Sequence, residues 1–280
     1  MNFQIYAAKS TLHPYVKQYY YWEDDAQGNI PLPQHLFALG DQYIIFLQSG
    51  EAICKPANHA SFSLPPVSVI GHFTHPGQLQ LNGPVKMVVV QLNAYGCHRL
   101  TGMSMHTFTN YYRNLCKHNN QLWQQLSNTL FEGTTPDEIG SILDTALENA
   151  LQQKAYPLKQ VDDIADYVQQ QNGIVSMESL SGKYGISRPT LERMFMEIIG
   201  IPPQLYARMM RFKTAMRSLQ QMNFRQWQTS HYNFGYYNQT LFIKDHVLFN
   251  GKTPAPVESG SAAIAQMPMP DMAMQVAVAG

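Results

Sequence analysis

Charge is scarce in this sequence. Only 14% of its 280 residues are Asp, Glu, Lys or Arg, and the formal net charge is zero. A neutral chain argues against the strongly basic class of nucleic-acid binders, at least when the whole chain is counted. Apolar residues still make up 45% of the sequence, which predicts a folded protein and excludes an intrinsically disordered one.

Cysteines and long apolar runs are also few. The three cysteines, Cys54, Cys97 and Cys116, are odd in number and widely spaced, which excludes a disulfide framework or a C-x-x-C metal pair. The longest apolar runs, YIIFL (43–47) and MVVV (87–90), are far too short to cross a bilayer. The N-terminus also lacks the basic and then apolar pattern of a signal peptide. These absences predict a soluble, cytoplasmic protein with reduced thiols and no membrane partner.

The few charges are unevenly distributed. Residues 1–157 carry 8 Lys/Arg and 10 Asp/Glu, a net charge of −2, whereas residues 158–257 carry 11 and 7, a net charge of +4. Two acidic residues in the tail account for the remaining −2. Because the basic charge is confined to one segment, that segment is the part of the chain to examine for a nucleic-acid partner.

Residues 1–100 are predicted to form a β-rich sensor or ligand-binding domain. Short aromatic and β-branched runs alternate there with Pro and Gly, and predict strands at 17–23, 41–48, 60–64, 68–73, 78–83 and 85–92. Strands of this number and spacing favour a small β-barrel or sandwich. The cluster QYYYW (18–22) fits either the wall of an apolar ligand cavity or a strand packed on both faces, and packing is the expectation.

Four histidines in this region, His35, His59, His72 and His75, raise the alternative of a metal-dependent barrel enzyme. His72 and His75 would point to opposite faces of one strand, and no carboxylate lies close in sequence. We therefore expect ordinary loop or core histidines, no metal and no cofactor. No catalytic set of residues is predicted, and the chain is not expected to be an enzyme.

Residues 101–156 are predicted to form a helical appendage. The segments 110–133 and 135–153 have helical spacing, with two apolar stripes. Thr135, Pro136 and Glu138 predict a capped start for the second helix. The stripes could cover the barrel or form a homodimer interface, and the spacing does not choose between them.

The segment SMESLSGKYGISRPTLERMF, residues 176–195, predicts a helix-turn-helix. Ser176 and Ser187 are suited to cap two helices, and Gly185 allows the left-handed turn between them. Leu191 and Phe195 would face the first helix. The outer face would then carry the polar residues Arg188, Thr190, Glu192 and Arg193. An arginine there can reach guanine O6 and N7 in a major groove, although an ordinary helical hairpin has the same pattern.

A second copy strengthens the prediction. Residues 224–251 again offer a helix, a turn glycine at Gly235 and a helix with Phe242 inward. The outer face of that last helix would carry Gln239, Thr240, Leu241 and Lys244. One long basic helix between the copies would hold them at a fixed separation, about 34 Å if both enter successive major grooves.

These residues resemble the DNA-binding domain of AraC-type (AraC/XylS) transcription regulators. The first-unit pattern is carried by Gly185, Ser187, Leu191, Arg193, Phe195, Gly200, Pro203, Tyr206, Arg208 and Arg211. The second is carried by Gly235, Tyr236, Gln239, Phe242, Lys244, Gly251 and Pro254. The segments LHPYVKQYYYWE (12–23) and GHFTHPGQLQLNGPVKMVVVQLNAYGCHRLTGM (71–103) resemble, more loosely, a sensor-like domain often found ahead of this module.

The resemblance implies an α+β multidomain protein, with the β-rich part first and an all-α double helix-turn-helix DNA-binding domain at 157–256. Residues 257–280 are predicted to be a disordered tail. The implied function is bacterial transcription control, as an activator or repressor that binds double-stranded DNA. The N-terminal domain would tune it through a small-molecule effector or through a homodimer.

The site residues follow from the same resemblance. Base-reading positions would be Pro189, Glu192 and Arg193, with Arg188 and Thr190 beside them, and in the second unit Gln239, Thr240, Leu241 and Lys244. Phosphate contacts are expected from Arg208 and Lys252.

The second unit departs from the family pattern. Ser230 and His231 replace a large aliphatic residue and an alanine, His246 replaces an inward phenylalanine, and Val247 and Leu248 replace a basic pair. Polar groups at core positions destabilise a fold unless they find partners. One alternative is therefore a non-enzymatic sensor or interaction protein with a degenerate second unit. The other, raised by the histidines of the β-rich region, is a cupin-like enzyme fused to a DNA-binding domain.

Overall fold

The computed structural model describes residues 2–30, 39–57, 60–118, 121–154, 159–219 and 234–253. Within them an antiparallel β-sheet occupies the N-terminal part of the chain, and helices follow it. This order of parts confirms the predicted fold class. The predicted first helix of the second helix-turn-helix, with Trp227, Ser230 and His231, lies outside the described residues, as do the residues of the tail. The domain boundaries at 100, 156 and 256 stay predictions.

Across the ranges that the structure describes, the sheet has seven strands, and each strand runs antiparallel to its neighbours. They are β1 (Asn2–Ala7), β2 (Val16–Ile30), β3 (Gln42–Pro56), β4 (Phe62–Ser63), β5 (Val67–Ile70), β6 (Gly77–Leu92) and β7 (Tyr112–Asn114). Their order across the sheet is β1-β2-β6-β3-β5-β7, with β4 paired to β3. The two predicted strands at 78–83 and 85–92 are one strand, β6, because Pro84 follows Gly83 without ending the pairing with β3. The pattern gave no prediction for β1 or β7.

Both faces of the sheet are buried, which explains why the tyrosine cluster reads as continuously apolar. Tyr19 and Tyr21 belong to the core on one face, and Tyr20 and Trp22 to the core on the other. Phe3 from β1 and Tyr112 from β7, at opposite edges of the sheet, pack against the same second core. The sheet therefore curls around that core like a partly open barrel, and the cluster at 18–22 packs on both faces, as expected.

In the described part of residues 1–156, three α-helices accompany the sheet: α1 (Gly96–Thr101), α2 (Gln121–Phe131) and α3 (Ile139–Lys154). Trp123 and Leu126 of α2 and Leu143 of α3 are buried with the sheet residues of the first face. The apolar stripes therefore cover the sheet, and the homodimer interface stays a prediction. Short 3-10 turns lie at Ser10–Leu12, Met105–Phe108, Cys116–His118 and Pro136–Glu138.

The start of α2 differs from the prediction, while the start of α3 agrees with it. Residues 110–118 form β7 and a 3-10 turn rather than a helix, because Tyr112 pairs with Ile70 at the free edge of β5. Sheet pairing thus overrides a weak helical pattern there. Glu138 accepts hydrogen bonds from the backbone N–H and the hydroxyl of Thr135, at 2.8 and 2.7 Å, so the predicted cap before α3 is confirmed.

The helical part that follows contains, within the described residues, α4 (Gln160–Gln170), α5 (Met177–Tyr184), α6 (Arg188–Ile198), α7 (Pro203–Leu219) and α8 (Gln239–Asn250). They share one apolar core, to which Ala94 and Tyr95 of the first part also contribute. α7 is the predicted long helix between the two units. Searching the described residues for a helix long and apolar enough to span a membrane gives none.

Candidate nucleic-acid interface

The first helix-turn-helix unit consists of α5, a turn at Gly185 and α6. The Ser176 hydroxyl accepts a hydrogen bond from the Ser179 N–H at 3.0 Å, and the Ser179 hydroxyl accepts one from the Ser176 N–H at 3.2 Å. Gly185 has a φ of 64°, which glycine adopts without a steric cost. The Ser187 hydroxyl accepts from the Thr190 N–H at 3.4 Å. The predicted caps and turn of the first unit are thus confirmed.

The outer face of α6 carries all five residues predicted to contact DNA from the first unit: Arg188, Pro189, Thr190, Glu192 and Arg193. All are exposed except Thr190, which is half-buried. Arg188 lies 3.4 Å from Glu192 and 3.7 Å from Glu178, and such surface ion pairs are weak. Arg193 has no acidic partner in the described part of the chain.

The second unit presents α8 in the same way. Gly235 has a φ of 71°, and the Asn238 side chain caps α8 by accepting from the Leu241 N–H at 3.0 Å. The four residues predicted to contact DNA are all exposed: Gln239, Thr240, Leu241 and Lys244. Apolar side chains share this surface, since Tyr237 is 82% and Val247 44% exposed. The structure thus brings the predicted residues onto one face, but that face is less polar than the face of α6.

The two predicted phosphate ligands lie in different surroundings. Lys252 is exposed just after α8. Arg208, on α7, instead donates from Nε to Asp245 Oδ1 of α8 at 2.5 Å. Arg211 of α7 has Nη2 3.7 Å from Asp245 Oδ2, and Tyr236 donates its hydroxyl to the same oxygen at 2.9 Å. We call Asp245, Arg208, Arg211 and Tyr236 the Asp245 cluster.

His246, a polar residue at a predicted core position, is buried and has partners. Its Nδ1 lies 2.6 Å from the carbonyl oxygen of Lys252, and its Nε2 lies 3.2 Å from the Asn250 side-chain nitrogen. Its ring packs against Phe212 and Phe242, and burial lowers its pKa. This departure from the family pattern is therefore compensated locally, in agreement with the rule that buried polar groups need partners.

A polar junction connects the sheet to the helical part, and sequence reasoning missed it. The Asp41 carboxylate before β3 is 2% exposed and lies 2.6 Å from Lys17 Nζ of β2 and 3.4 Å from Lys213 Nζ of α7. Gln91 of β6 donates to its other oxygen at 2.7 Å. Burial alone would raise the pKa of Asp41, but the two ammonium groups lower it. One carboxylate thus joins the sheet to the helix between the two units.

A second buried ion pair lies in the same junction. Arg99 of α1 donates from Nε and Nη2 to the two oxygens of Asp162 of α4, at 3.0 and 2.9 Å, and both side chains are almost fully buried. Beside it, Tyr95 donates to Asp166 at 2.9 Å. Gln42 donates to the carbonyl of Ile199, at the end of α6, at 3.2 Å. The sheet part therefore contacts α4, α6 and α7 through specific polar bonds.

The sequence contained a signal for Lys213. It lies on the α7 stripe of Tyr206, Met209 and Met216, all buried, so helical spacing places it inward. An inward lysine in a helix requires an acidic partner. The sequence alone does not identify that partner, because Asp41 lies 172 residues away.

Two of the four histidines considered for a metal site, His72 and His75, belong to the described part of the chain. No group of three or more His, Cys, Asp or Glu residues suited to a metal ion occurs among the described residues. His72 is buried near Asp41, Lys17 and Lys213, and its pKa is lowered to about 4, mainly by burial. His75 lies 2.9 Å from the Thr74 hydroxyl. His35 and His59 lie outside the described residues.

Residues 4–114 match a sequence family described as a domain of unknown function (DUF6597). No curated protein sequence matches this chain significantly.

Among solved structures the chain is similar to ToxT from Vibrio cholerae O395. The TM-score is 0.41 with 12% identity, over 90% of this chain and 95% of that one. For ToxT bound to (E)-4-(8-methylnaphthalen-1-yl)but-3-enoic acid, the TM-score is 0.44 with 12% identity, over 91% and 97%. For the AraC-like transcriptional activator CuxR the values are 0.27 and 16%, over 71% and 74%. All of these TM-scores are below 0.5, so the similarities support no conclusion about the function of this chain.

Proposed function

We propose that this chain is an AraC-type transcription regulator that binds specific double-stranded DNA through two helix-turn-helix units. One observation carries the proposal. Two exposed, side-chain-capped helices, α6 and α8, are each entered through a left-handed glycine turn, and both pack against the helix α7. A pair of such helices held on one rigid element is suited to two successive major grooves.

In this proposal the N-terminal turns of α6 and α8 contact base edges. Arg193 donates to guanine, Thr190 contacts a base edge or a phosphate, and Glu192 accepts from cytosine N4. Gln239 and Lys244 act similarly on the second half-site. Because the segment 158–257 has a net charge of only +4, we expect modest non-specific affinity and a shallow dependence on salt.

The junction supports control of DNA binding by the N-terminal domain. Asp41 and Arg99 connect the sheet to α7 and α4 through buried ion pairs. Buried pairs tolerate little displacement, because separating the charges leaves each of them desolvated and unpaired. A small molecule or a second copy of the chain that moves the sheet would therefore move α7, and with it the spacing of α6 and α8. Both the effector and the homodimer belong to the proposal.

The testing experiment is selection from random duplex DNA with the full chain, at low and near-physiological salt. The proposal predicts a motif with two half-sites about one helical turn apart. Arg193→Ala should erase the first half-site and Gln239→Ala the second. Lys55→Gln removes one positive charge from β3, far in sequence from either unit, and should leave the motif intact. Absence of any enriched sequence with the wild-type chain would reject the function.

One observation favours a second candidate, a sensor or interaction protein with a degenerate second unit. The outward surface of α8 exposes Leu241, Ile243 and Val247 to between 36% and 44%. A helix surface with exposed apolar side chains is better suited to bind another protein than to bind DNA phosphates. The same selection separates the candidates, because a degenerate second unit predicts a single half-site that Gln239→Ala does not alter.

A further inference from the structure

We infer that Asp245 positions the second recognition helix, and that Arg208 and Arg211 are its internal counter-ions rather than ligands of DNA phosphate. The inference rests on the proposed function in so far as α8 faces DNA. It assigns to Arg208 a role different from the one that the family resemblance implies.

The geometry places one carboxylate in contact with three donors from two other elements. Asp245 Oδ1 accepts from Arg208 Nε at 2.5 Å. Its Oδ2 accepts from the Tyr236 hydroxyl at 2.9 Å and lies 3.7 Å from Arg211 Nη2. Tyr236 belongs to the turn that leads into α8, whereas the two arginines belong to α7. The turn, the recognition helix and the connecting helix therefore meet at this one side chain.

Because Asp245 is buried, its carboxylate must keep its partners. The Asp245 side chain is 3% exposed, while those of Arg208 and Arg211 are 38% and 27% exposed. A buried carboxylate is strongly unfavourable unless it is paired and hydrogen-bonded. A rotation or sliding of α8 that removed Asp245 from the arginines would leave its charge unpaired. The cluster therefore fixes the position and rotation of α8 against α7.

The aromatic surroundings hold the arginines as well. The Arg211 guanidinium lies 4.7 Å from the Tyr236 ring centre, and that of Arg208 lies 5.9 Å from the Phe249 ring centre. Phe249 and Phe242 flank Asp245 on α8 and pack on Phe212 of α7, at 5.3 and 5.9 Å between ring centres. Both guanidinium groups therefore lie in the α7–α8 contact. A phosphate contact from Arg208 could not use Nε, because Asp245 already accepts from that atom.

The first experiment needs no DNA. Hydrogen exchange of α8 amides in the full chain is compared for wild type, Asp245→Asn, Arg208→Gln and the double variant. Asp245→Asn should speed exchange in α8 at least about tenfold and leave α5 and α6 unchanged. Because the arginine has lost its partner already, adding Arg208→Gln should cause little further loss. Additive losses, or unchanged protection of α8, would overturn the inference.

Milder variants keep the experiment decisive if Asp245→Asn fails to fold. Tyr236→Phe removes one donor and retains the ring, and Asp245→Glu retains the charge at a displaced position. Both should raise exchange in α8 by less than the asparagine variant does. Protection of α8 that does not respond to either change would contradict a positioning role.

The second experiment measures how DNA binding depends on salt. This dependence distinguishes a ligand of DNA phosphate from an arginine that is paired inside the protein. The slope of log K against log salt becomes shallower by about 0.9 for each DNA phosphate that the protein no longer neutralises. Arg208→Gln should leave the slope within error, whereas Lys252→Gln, the matched removal of one charge at the other predicted phosphate ligand, should make it shallower by about 0.9. A change of that size for Arg208→Gln would make it a phosphate ligand and overturn the inference. If the wild-type chain binds no DNA, the proposed function fails, and hydrogen exchange alone decides the role of Asp245.

Discussion

The second helices of the two proposed helix-turn-helix units differ in where they carry polar and apolar side chains. In α6 the inward residues Leu191, Phe195 and Ile198 are apolar, and the outward face carries the charged residues Arg188, Glu192 and Arg193. In α8 the inward residues include Asp245 and His246, and the outward face exposes Leu241, Ile243 and Val247. The same turn chemistry therefore presents two helices with different surfaces.

The difference shows that a helix-turn-helix can be stabilised in two ways. The first unit is stabilised mainly by burial of apolar side chains, and its charged side chains lie at the surface, where a partner can reach them. The second unit uses part of its polar groups internally, because Asp245 and His246 occupy core positions that need hydrogen-bond partners. We therefore expect the first unit to contribute more to sequence reading. We expect the position of α8 in the second unit to depend more on electrostatic interactions.

The largest expected effect comes from breaking the apolar core of the first unit. Phe195 is fully buried and packs on Tyr206, with 6.0 Å between ring centres. Phe195→Ala should lower the free energy of unfolding by about 3–5 kcal/mol through reduced burial and a cavity. The effect should extend into the junction, since α6 ends at the residues that Gln42 and Thr109 contact. Urea unfolding with hydrogen exchange measures both.

Phe242→Ala is the matched change in the second unit. It should cost a similar amount, about 3–5 kcal/mol, but exchange should rise mainly in α8 and around Phe212 of α7, on which Phe242 packs. Tyr237→Ala, at an 82% exposed position, serves as the control and should stay within about 0.5 kcal/mol of wild type. If both changes raise hydrogen exchange equally in α6 and α8, the two units unfold together and the predicted local effect of Phe242→Ala is wrong.

Acid should weaken the junction that holds α7, the helix shared by both units. The pKa of His72 is lowered from 6.5 to about 4, mainly by burial, although the Asp41 carboxylate opposes this. Between these values the unfolded chain binds a proton that the folded chain does not, so the free energy of unfolding falls as the pH is lowered from about 6.5 to 4. The full contribution, about 3 kcal/mol, is present above pH 6.5.

The measurement is the urea midpoint of wild type and His72→Leu between pH 7 and 4.5. Other carboxylates titrate in both proteins, so the difference between the two curves isolates His72. Wild type should lose stability relative to His72→Leu as the pH falls. Parallel curves would show that the junction accommodates a protonated His72.

Local features of the fold were predictable from the sequence, and long-range polar contacts were not. The caps at Ser176 and Ser187 and the turns at Gly185 and Gly235 depend on neighbouring residues, and so spacing reveals them. The Asp41–Lys213 pair joins residues 172 positions apart. Periodicity can mark Lys213 as inward, but it cannot identify the partner.

Sheet edges were the other source of error. Tyr112–Asn114 reads as part of a helix, yet it pairs with β5 because that strand has a free edge. β1 was missed for the same reason, since its stability comes from pairing with β2 along six residues. For the candidate site, exposure of the α6 and α8 residues followed from the helical period. The engagement of Arg208 by Asp245 did not, because it depends on how two distant helices pack.

Removing one cation from each recognition helix tests which unit reads DNA more strongly. Arg193→Ala should weaken binding to the selected site by about 10- to 100-fold and relax specificity at one base pair, the usual effect of removing a bidentate guanine contact. Lys244→Ala should weaken binding less, because its neighbours Leu241 and Val247 are apolar. Fluorescence anisotropy with matched and single-mismatch duplexes measures both effects. A larger effect for Lys244→Ala would reverse the ranking of the units.

The smallest expected effect compares the two turn glycines. Both have positive φ, so alanine should cost about 1–2 kcal/mol at either position. A Cβ at Gly185 would meet no atom within 4 Å, whereas at Gly235 it would lie 2.8 Å from Ile174 Cγ1. Gly235→Ala should therefore cost about 1 kcal/mol more, because Ile174 must move. Adding Ile174→Ala should recover that excess in the double variant and should do nothing for Gly185→Ala. Thermal unfolding of the five variants measures the coupling, and equal costs for the two glycines would mean that Ile174 is free to move aside.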